Sequence, residues 1–415
     1  MEPKIRLKGF SGEWKTSVIE EVATFSKGRG YSKSDLRPEG NPIILYGRLY
    51  TNYSSVIDSV DTFASLQNGS VLSKGNEVII PGSGETPEDI AVASAVEQKG
   101  VILGGDLNVV TFNQEKIVPA FAAMSITNSK THYELSGYAQ GKTVVHLHNS
   151  SISKGHLSYP SIEEQNAIVS YVSSIDSLIQ STTKKIESLK QVKAASLQSM
   201  FPQEGETSPR VRFKGFEGEW NVVTLGEVGT FKSNGVDKLV RPDEKMINLL
   251  NYLDVYNSRQ INKENCNSLM QVSASDRQII ECDVQKNDIF FTPSSETAED
   301  IGYVLVMKDT LPNTCYSYHL MRYRPNEGVF FEDFPNYGFT TKYVREQMRL
   351  LAKGVQRFVI GKTEFESIKV QIPSYQEQKK IADYFRSLDS QIIGQTQRLE
   401  KLKQIKSACL DNMFV

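Results

Sequence analysis

PSIEEQ at residues 160–165 returns as PSYQEQ at residues 373–378. In each copy a serine follows a proline and stands three residues before a glutamate, which is the pattern of a capping box. A capping box marks the first turn of an α-helix, and proline is tolerated at the start of a helix but not inside it. The two hexapeptides therefore predict two helices that begin at equivalent places in two related halves of the chain.

Apolar residues recur in steps of three and four for about forty residues after each hexapeptide, which predicts two amphipathic helices of roughly 60 Å. One small domain cannot cover so long a stripe, so we expect the helices to pack on each other as an antiparallel coiled coil. This would hold two globular domains at opposite ends of a rod; the alternative is that each helix docks on its own domain. The apolar positions on which we base these contacts are Ile168, Ile175, Ile186, Leu189, Ile381, Leu388, Leu399 and Leu402.

Lysines mark the other face of the first helix. We expect Lys184, Lys185, Lys190 and Lys193 to form a solvated face, with direct DNA contact as the alternative.

The repeat extends well beyond the helices. Further matches occur in the same order in both halves, and internal repeats of this kind indicate a duplicated structural unit. By contrast, residues 35–75 have little in common with residues 240–285, so one scaffold is expected to carry two different surfaces. The matched segments are LKGFSGEW (7–14) with FKGFEGEW (213–220), EEVATFSKG (20–28) with GEVGTFKSN (226–234), GETPEDI (84–90) with SETAEDI (295–301), and MF (200–201) with MF (413–414).

Composition places the chain among ordinary globular proteins. Its 415 residues suit two domains, and 39% hydrophobic and 23% charged residues are typical values. No apolar run approaches the ~20 residues of a membrane span, and no signal peptide is evident, so we expect a cytoplasmic protein without a membrane partner. The four cysteines show no metal-ligand spacing, which favours free thiols. A net charge of −2 argues against a uniformly basic surface but permits a local basic face.

The stretches between the repeated motifs alternate short strands with turns and short helices. Strands are predicted at 41–46, 77–80 and 109–112, and helices at 119–127 and 341–353. This pattern predicts an α/β fold with mixed sheets in both halves.

One loop in each half carries side chains that bond phosphates and base edges. The neighbouring Gly28 and Gly30 should make the first of these loops flexible, and a plain solvated turn is the alternative. The candidate DNA-binding residues are Lys27, Arg29, Tyr31, Lys33 and Arg48 in the first half and Lys232, Asn234, Lys238, Arg357 and Lys362 in the second.

A second repeated loop is acidic. Paired carboxylates suit metal binding or acid/base chemistry, but no lysine or histidine accompanies them at fixed spacing in both halves. Helix capping or loop structure is therefore the favoured role, and we predict neither a catalytic nor a metal-binding residue. The carboxylates concerned are Glu85, Glu88 and Asp89 in the first half and Glu296, Glu299 and Asp300 in the second.

Signatures of nucleotide-dependent enzymes fail. Gly361-Lys362-Thr363 resembles the end of a phosphate-binding loop, yet Gln356 occupies the position that requires glycine. An enzyme with two active sites would be expected to show its catalytic residues twice, whereas this chain repeats structural motifs. Binding is therefore favoured over catalysis.

Two divergent domains, each followed by a long helix opened by P-S-x-x-E-Q, resemble the specificity subunit of a type I restriction-modification system. The resemblance covers the whole chain in order. It implies a first target-recognition domain at 1–158, a spacer helix at 159–201, a linker at 202–209, a second recognition domain at 210–371 and a second spacer helix at 372–415. It also implies a pseudo-twofold internal repeat.

The resemblance implies a non-catalytic subunit that reads a split, asymmetric site in double-stranded DNA, one half with each domain. The helices would set the gap between the halves and, through the eight apolar positions named above, dock two methyltransferase subunits. The restriction subunits would join the complex through these methyltransferase subunits. No cofactor is expected on this chain; S-adenosylmethionine is expected in the methyltransferase partners. The alternative function is a coiled-coil scaffold that assembles partners without reading DNA, which would show no salt-dependent DNA binding.

Overall fold

The computed structural model describes residues 2–415, which form two compact units. The first unit contains the chain up to Thr183 together with Gln397–Val415, and the second unit contains Lys184–Thr396. The first unit is therefore assembled from two segments that lie far apart in the sequence, whereas the second unit is one continuous segment.

Helices and strands are numbered in chain order. The helices are α1 (Arg48–Thr51), α2 (Pro87–Ile90), α3 (Pro119–Asn128), α4 (Lys130–Tyr138), α5 (Asn149–Ile152), α6 (Ile162–Ser199), α7 (Tyr252–Tyr256), α8 (Asp276–Glu281), α9 (Phe334–Gly338), α10 (Lys342–Leu351), α11 (Lys362–Ser367) and α12 (Tyr375–Met413). The strands of the first unit are β1 (Lys15–Val18), β2 (Ala23–Lys27), β3 (Leu36–Arg37), β4 (Asn41–Ile44), β5 (Val56–Ile57), β6 (Phe63–Ala64), β7 (Glu77–Pro81), β8 (Ser83–Gly84), β9 (Ser94–Val96), β10 (Ile102–Leu103), β11 (Leu107–Phe112), β12 (Val145–His146) and β13 (His156–Tyr159). Those of the second unit are β14 (Asn221–Thr224), β15 (Gly229–Lys232), β16 (Lys245–Leu250), β17 (Met270–Ala274), β18 (Ile289–Phe291), β19 (Ser294–Ser295), β20 (Val304–Val306), β21 (Thr314–Tyr316), β22 (Met321–Pro325), β23 (Phe358–Val359) and β24 (Lys369–Ile372).

A mixed sheet in the order β2-β11-β7-β9-β5 forms the centre of the first unit. Its strands pair antiparallel except β5 and β9, which run parallel. The inner strands β7 and β11 are buried along nearly their whole length, as expected of strands covered on both faces. A second mixed sheet, β10-β4-β6-β3, and the antiparallel pairs β1–β13 and β8–β12 complete the unit.

The second unit repeats this plan with one replaced part. The antiparallel sheet β15-β22-β18-β20 corresponds strand for strand to β2-β11-β7-β9, and the pairs β14–β24 and β19–β23 correspond to β1–β13 and β8–β12. The divergent stretch builds instead the mixed sheet β17-β16-β21, in which β16 and β21 run parallel. The predicted α/β fold with mixed sheets and an internal repeat is confirmed.

The opening of α6 is tied to the N-terminal motif of its unit. Ser161 Oγ accepts a hydrogen bond from Glu164 N at 3.4 Å, as the predicted cap requires. The Glu164 carboxylate instead accepts two hydrogen bonds of 2.8 Å from the Arg6 guanidinium, which also donates to the carbonyls of Ser11 and Gly12. The serine half of the predicted capping box is confirmed, and its glutamate half is wrong because a bidentate, charge-assisted partner is available.

The opening of α12 repeats this arrangement in the second unit. Ser374 Oγ accepts a hydrogen bond from Glu377 N at 3.3 Å, and Arg212 donates two hydrogen bonds of 2.7 Å to the Glu377 carboxylate. Arg212 also donates to the carbonyl of Gly218 at 2.6 Å. The repeated segments at the start of each half therefore recur because each holds a helix N-terminus in place.

The final glutamine of each hexapeptide is buried and fully bonded. Gln165 Nε2 donates to the carbonyls of Lys116 and Pro160, each at 2.9 Å, and its Oε1 accepts from Val118 N at 2.8 Å. Since buried polar groups need partners, these bonds explain why the residue type recurs. Gln378 makes the same three kinds of bond, with Val329, Pro373 and Phe331.

Within the second unit α6 and α12 run antiparallel. Lys193 Nζ lies 2.5 Å from Asp389 Oδ1, and three residues further along α6 the Ser196 and Tyr384 hydroxyls lie 2.9 Å apart. Lys193 also stands 5.6 Å from the ring centroid of Tyr337. The expectation that Lys193 belongs to a purely solvated face is therefore wrong, since an anionic partner and an aromatic ring draw it inward.

Within the first unit the same two helices are also antiparallel. Lys406 Nζ lies 2.6 Å from Asp176 Oδ1. Cys409, one turn further along α12, lies beside Tyr171, one turn earlier on α6, and raises the pKa of that tyrosine. The predicted antiparallel pairing is thus present in both units.

Each long helix ends by filling the core of the unit in which it terminates. Phe201, just after α6, lies 5.7 Å from Trp220 between ring centroids in the second unit. Phe414, just after α12, lies 5.6 Å from Phe121 in the first unit, and Phe121 in turn contacts Trp14. The repeated Met-Phe pair therefore closes two aromatic cores.

Two simpler expectations can be compared with the structure. All four cysteines are buried free thiols, as predicted. Within residues 2–415 no helix is both long and apolar enough to span a membrane. The domain boundaries drawn from the sequence at 158/159 and 371/372 stay a prediction.

Candidate nucleic-acid interface

The basic loop of the first unit, which follows β2, is hydrogen-bonded to a neighbouring backbone segment. Gly28 N donates to Leu107 O at 2.9 Å, and Arg29 N donates to Leu103 O at 3.0 Å. A Cβ on Gly28 would lie 1.9 Å from Gly104 O, so this glycine permits a close approach of two backbone segments. The backbone of this loop is thus hydrogen-bonded to residues 103 and 107, and the flexibility expected from the glycines stays a prediction.

The side chains of this loop divide into exposed and bonded groups. Lys27, Arg29 and Lys33 are exposed. Tyr31 has a φ of +60°, and its hydroxyl oxygen lies 2.6 Å from Ser70 Oγ and 3.2 Å from Ser65 O. The three cations remain candidates for phosphate contact, whereas Tyr31 fastens the loop to its neighbour.

Two other predicted DNA-binding residues form ion pairs with nearby carboxylates. Arg48, on α1, pairs with Asp61, and its side chain is only 16% exposed. Lys362, on α11, lies 3.6 Å from Glu366 one turn away. The structure brings neither residue together with the other candidates.

The second unit separates its predicted residues into two places. Lys232, on β15, is exposed, and Asn234 Nδ2 donates to Glu281 at 3.4 Å. Lys238 and Arg357, by contrast, line one concave cleft of about 670 Å³, which we call the recognition cleft. The side chains that line it also include Tyr252, Tyr256, Glu296, Asp300, His319 and Gln356.

Backbone pairing explains how Lys238 reaches the recognition cleft. Val236 N donates to Tyr316 O at 2.9 Å, and Tyr318 N donates to Val236 O at 3.2 Å. These bonds hold the segment before Lys238 against the segment before His319. Lys238 and His319, which lie far apart in the sequence, therefore line the same cleft.

Helix α7 supplies the aromatic part of the cleft. Asn251 caps this helix by accepting a hydrogen bond from Tyr252 N at 2.8 Å. Tyr252 and Tyr256, one turn apart, stack with ring centroids at 5.8 Å, and Tyr256 meets Tyr303 at 4.6 Å. Stacked rings fixed by a capped helix give the cleft a stiff wall.

Charge in the cleft is mixed. Burial, together with the cations Lys238 and Arg357, lowers the pKa of His319, so its imidazole is neutral at physiological pH. Arg357 Nη2 donates to Ser294 Oγ at 3.1 Å, which orients its guanidinium. Because acidic and basic groups face one space, the cleft offers both hydrogen-bond donors and acceptors.

The acidic loops act mainly as helix and turn caps. Thr86 Oγ1 accepts from Asp89 N at 3.1 Å and donates to the Asp89 carboxylate at 2.7 Å. Thr297 Oγ1 donates to Asp300 at 3.0 Å in the second unit. Over residues 2–415 no group of His, Cys, Asp and Glu side chains has the arrangement of a metal site. The favoured structural interpretation of these loops agrees with the observed bonds.

The predicted helix contacts are mostly internal. Ile168, Ile175, Ile186, Ile381 and Leu388 are buried. The other three, half-buried, are Leu189, Leu399 and Leu402. Five of the eight positions therefore pack inside the protein, and partner binding by these helix positions stays a prediction.

Sequence reasoning missed several residues of the cleft. Tyr252, Tyr256 and His319 carry no motif and come together only through the fold. Gln356 could have been noticed, because residues 352–360 correspond to residues 139–147 in the repeat. Each of the two segments has a glycine at its third position.

The profile of one protein family matches almost the whole chain in two copies. The family is described as "Type I restriction modification DNA specificity domain", and the matches cover residues 11–191 and 217–404. Both matches include a recognition region and a large part of the long helix that follows it.

Solved structures show the same fold at low sequence identity. The type I restriction-modification S subunit from M. genitalium matches with a TM-score of 0.60 and 16% identity, covering 100% of this chain and 99% of that one. The HsdS subunit from Thermoanaerobacter tengcongensis matches with a TM-score of 0.50 and 15% identity, covering 97% of both chains. A chain from a structure on complex assembly of the type I R-M system matches with a TM-score of 0.53 and 15% identity, again over 97% of both.

Members of this family recognise DNA and do not carry the catalysis of their complexes. The duplicated frame, the two divergent surfaces and the family match over both halves lead to one conclusion: this chain belongs to the DNA specificity subunits of type I restriction-modification systems.

Proposed function

We propose that this subunit reads a bipartite, asymmetric site in double-stranded DNA, with one half-site for each unit. The observation that carries the proposal is the selective repeat. The helix openings, central sheets and acidic loops recur, whereas residues 35–75 and 240–285 form different structures. Two different readers on a common frame suit a site whose halves differ in sequence.

We further propose that the outer faces of α6 and α12 dock two methyltransferase subunits, through which restriction subunits join. Several apolar side chains on these helices stay exposed although the internal seam is buried, and exposed apolar groups suit a protein interface. They are Tyr171, Leu178, Val192, Ile393 and Ile405. S-adenosylmethionine would be held by the methyltransferase subunits, which would flip the target adenines.

The near-neutral charge of the chain fits this division of labour. A net charge of −2 supplies little general attraction for phosphate. We propose that partner subunits provide much of the phosphate contact and that this chain provides base contacts. Its place of action would be the cytoplasm, where bacterial DNA lies.

Methylome sequencing tests the proposal. The chain is expressed with its methyltransferase partner in a host that lacks adenine methylation. We expect methylated adenines in a motif with two defined halves separated by a fixed undefined gap. Methylation confined to a continuous motif, or its absence from a folded complex, contradicts the proposal.

A scaffold function gives a different result with purified complex. A subunit that recognises DNA sequence binds the motif identified by methylome sequencing more tightly than it binds unrelated DNA. Its affinity also falls as the salt concentration rises. Equal affinity for both DNAs, or no salt-dependent binding, favours the scaffold.

A further inference from the structure

A short hairpin occupies equivalent positions in the two units. In the second unit Lys353 and Val359 exchange backbone hydrogen bonds of 3.0 and 2.9 Å. In the first unit Gln140 and His146 do the same at 3.0 and 2.8 Å. We give the name hairpin tips to four residues that lie between these pairs: 141–144 in the first unit and 354–357 in the second.

Both hairpin tips have the same enforced backbone shape. Gly354 has φ +150° and Gly141 has φ +136°, values that L side chains rarely adopt. A Cβ on either glycine would lie 2.0 Å from a carbonyl oxygen, that of Arg357 or of Val144. The frame of the tip is thus fixed by glycine, independently of what the following three residues are.

The hairpin is also anchored to the acidic loop. Its second side, β23, pairs with β19 through Ser294–Val359 and Ser295–Phe358, as β12 pairs with β8 in the first unit. Arg357 adds a side-chain hydrogen bond of 3.1 Å to Ser294 Oγ. A side chain on this tip therefore projects from a braced support.

The three residues after the glycine differ completely in chemistry. The second tip carries Val355, Gln356 and Arg357, whereas the first carries lysine, threonine and valine at 142–144. Val355 is 92% exposed, and Gln356 and Arg357 are exposed while lining the recognition cleft. A constant frame with variable, outward side chains is what a specificity-determining element requires.

The surroundings of Arg357 favour base edges over phosphate as its ligand. Glu296 and Asp300 line the same cleft, and carboxylates repel phosphate. A base edge presents donors and acceptors together, and a carboxylate can accept from the amino group of cytosine. With Nη2 partly used by Ser294, the guanidinium keeps donors free for a second acceptor.

We infer that the two hairpin tips are base-reading elements, and that Arg357 reads a guanine through its O6 and N7 atoms in the second unit's half-site. The inference rests on the proposed function and adds the location and base type of one contact. Gln356, beside it, has the amide that pairs with the edge of adenine. The first tip, with different side chains on the same frame, reads different bases in the other half-site.

The test uses the full complex with Arg357→Ala, Arg357→Lys and a graft that replaces residues 355–357 by lysine, threonine and valine. Arg357→Ala should relax one G·C position of one half-site, with roughly tenfold to hundredfold lost discrimination. Arg357→Lys keeps the positive charge but loses the two parallel guanidinium donors. It should therefore reduce discrimination at the same base pair by less than Arg357→Ala does. The graft should change that half-site and leave the other half-site and the gap unchanged.

Arg349→Ala is the matched control, because Arg349 is exposed in the same unit and forms its ion pair with the nearby Glu346, which lies one turn earlier in α10. It should leave the motif intact. Oligonucleotide binding with purified complex separates base contact from phosphate contact. A uniform loss of affinity over all sequences, with a weaker salt dependence, would assign Arg357 to phosphate and overturn the inference.

The outcomes also separate this inference from the proposed function. If the parent complex shows no two-part motif, the proposed function fails. If the parent shows the motif and folded Arg357→Ala and graft variants keep it unchanged, only the hairpin inference fails. Thermal unfolding of each complex establishes that it is folded, and Arg357→Lys serves where Arg357→Ala does not fold.

Discussion

At the scale of single residues, two buried ion pairs connect distant segments within the halves, one pair in each half. Arg6 with Glu164, and Arg212 with Glu377, join the N-terminal motif of each half to the helix that follows it. The carboxylate of Glu377 is 1% exposed, so its charge depends on the guanidinium for compensation. Removing one partner leaves a buried charge, whereas removing both does not.

We therefore expect Arg212→Met to lower the free energy of unfolding of the second unit by about 3–5 kcal/mol, because the Glu377 carboxylate stays buried without its counter-ion. Combining Arg212→Met with Glu377→Leu should cost much less, because no charge stays buried. Denaturant unfolding measures both. Arg210→Ala is the control: its pair with Glu206 is exposed, and its loss should change little. Equal effects of Arg212→Met and Arg210→Ala would refute the argument.

His319 makes stability depend on pH in the acid range. Burial first, and then Lys238 and Arg357, lower its pKa in the folded protein. As pH falls below the ordinary histidine pKa of about 6.5, the unfolded chain takes up a proton here before the folded chain does. This contribution to stability is therefore complete above that pH and is lost as pH falls towards the folded pKa.

His319→Gln should remove this part of the acid destabilisation. Denaturation midpoints at about pH 7 and about pH 5.5 bracket the range in which histidine titrates. The variant should lose less stability between them than the parent protein does. An unchanged difference between the two pH values would show that His319 does not contribute.

Residue-scale predictions from the sequence succeeded where a role is local. The serine caps could be predicted because their partners lie three residues away. Arg6 and Arg212 escaped notice because their partners are distant in sequence and because the recognised repeat began one residue later. Lys238 and Arg357 could be named by chemistry, but only the fold brings them to one cleft with His319.

At the scale of elements, the two long helices were the most predictable part of the chain. Steps of three and four between apolar residues are a strong signal over many turns. The ends of the short strands were less predictable: the strand expected at 41–46 stops at Ile44, since α1 follows closely. No motif indicated that each helix divides its contacts between two units.

A lengthened helix pair should widen the gap in the DNA motif. Four residues add about one turn, roughly 6 Å, and DNA rises about 3.4 Å per base pair, so the gap should grow by about two base pairs. The insertions belong after Thr183 in α6 and after Thr396 in α12. Methylome sequencing reports the gap and both half-sites, which should stay unchanged.

Substitution without insertion is the control for that experiment. Lys184 and Lys185 are exposed and can be exchanged for glutamine at constant helix length. The gap should then stay at its parental value. A changed half-site in the lengthened protein would show that the helices do more than set a distance.

At the scale of the whole molecule, the repeat predicts modular specificity. Replacing residues 1–158 by the corresponding domain of another family member should change one half of the DNA motif. The second half and the gap should persist, because they depend on the second unit and the helices. Methylome sequencing of the hybrid complex measures all three, and a change in both halves would show that the units do not read independently.

The aromatic contact between Phe414 and Phe121 also sets an order of events during synthesis. The first unit includes Gln397–Val415, so its core stays open while the ribosome makes the entire second unit. Until then the first unit exposes apolar surface, and exposed apolar surface promotes chaperone binding and proteolysis. Loss of the last turns of α12 by premature termination should therefore harm the domain translated first more than the one translated last.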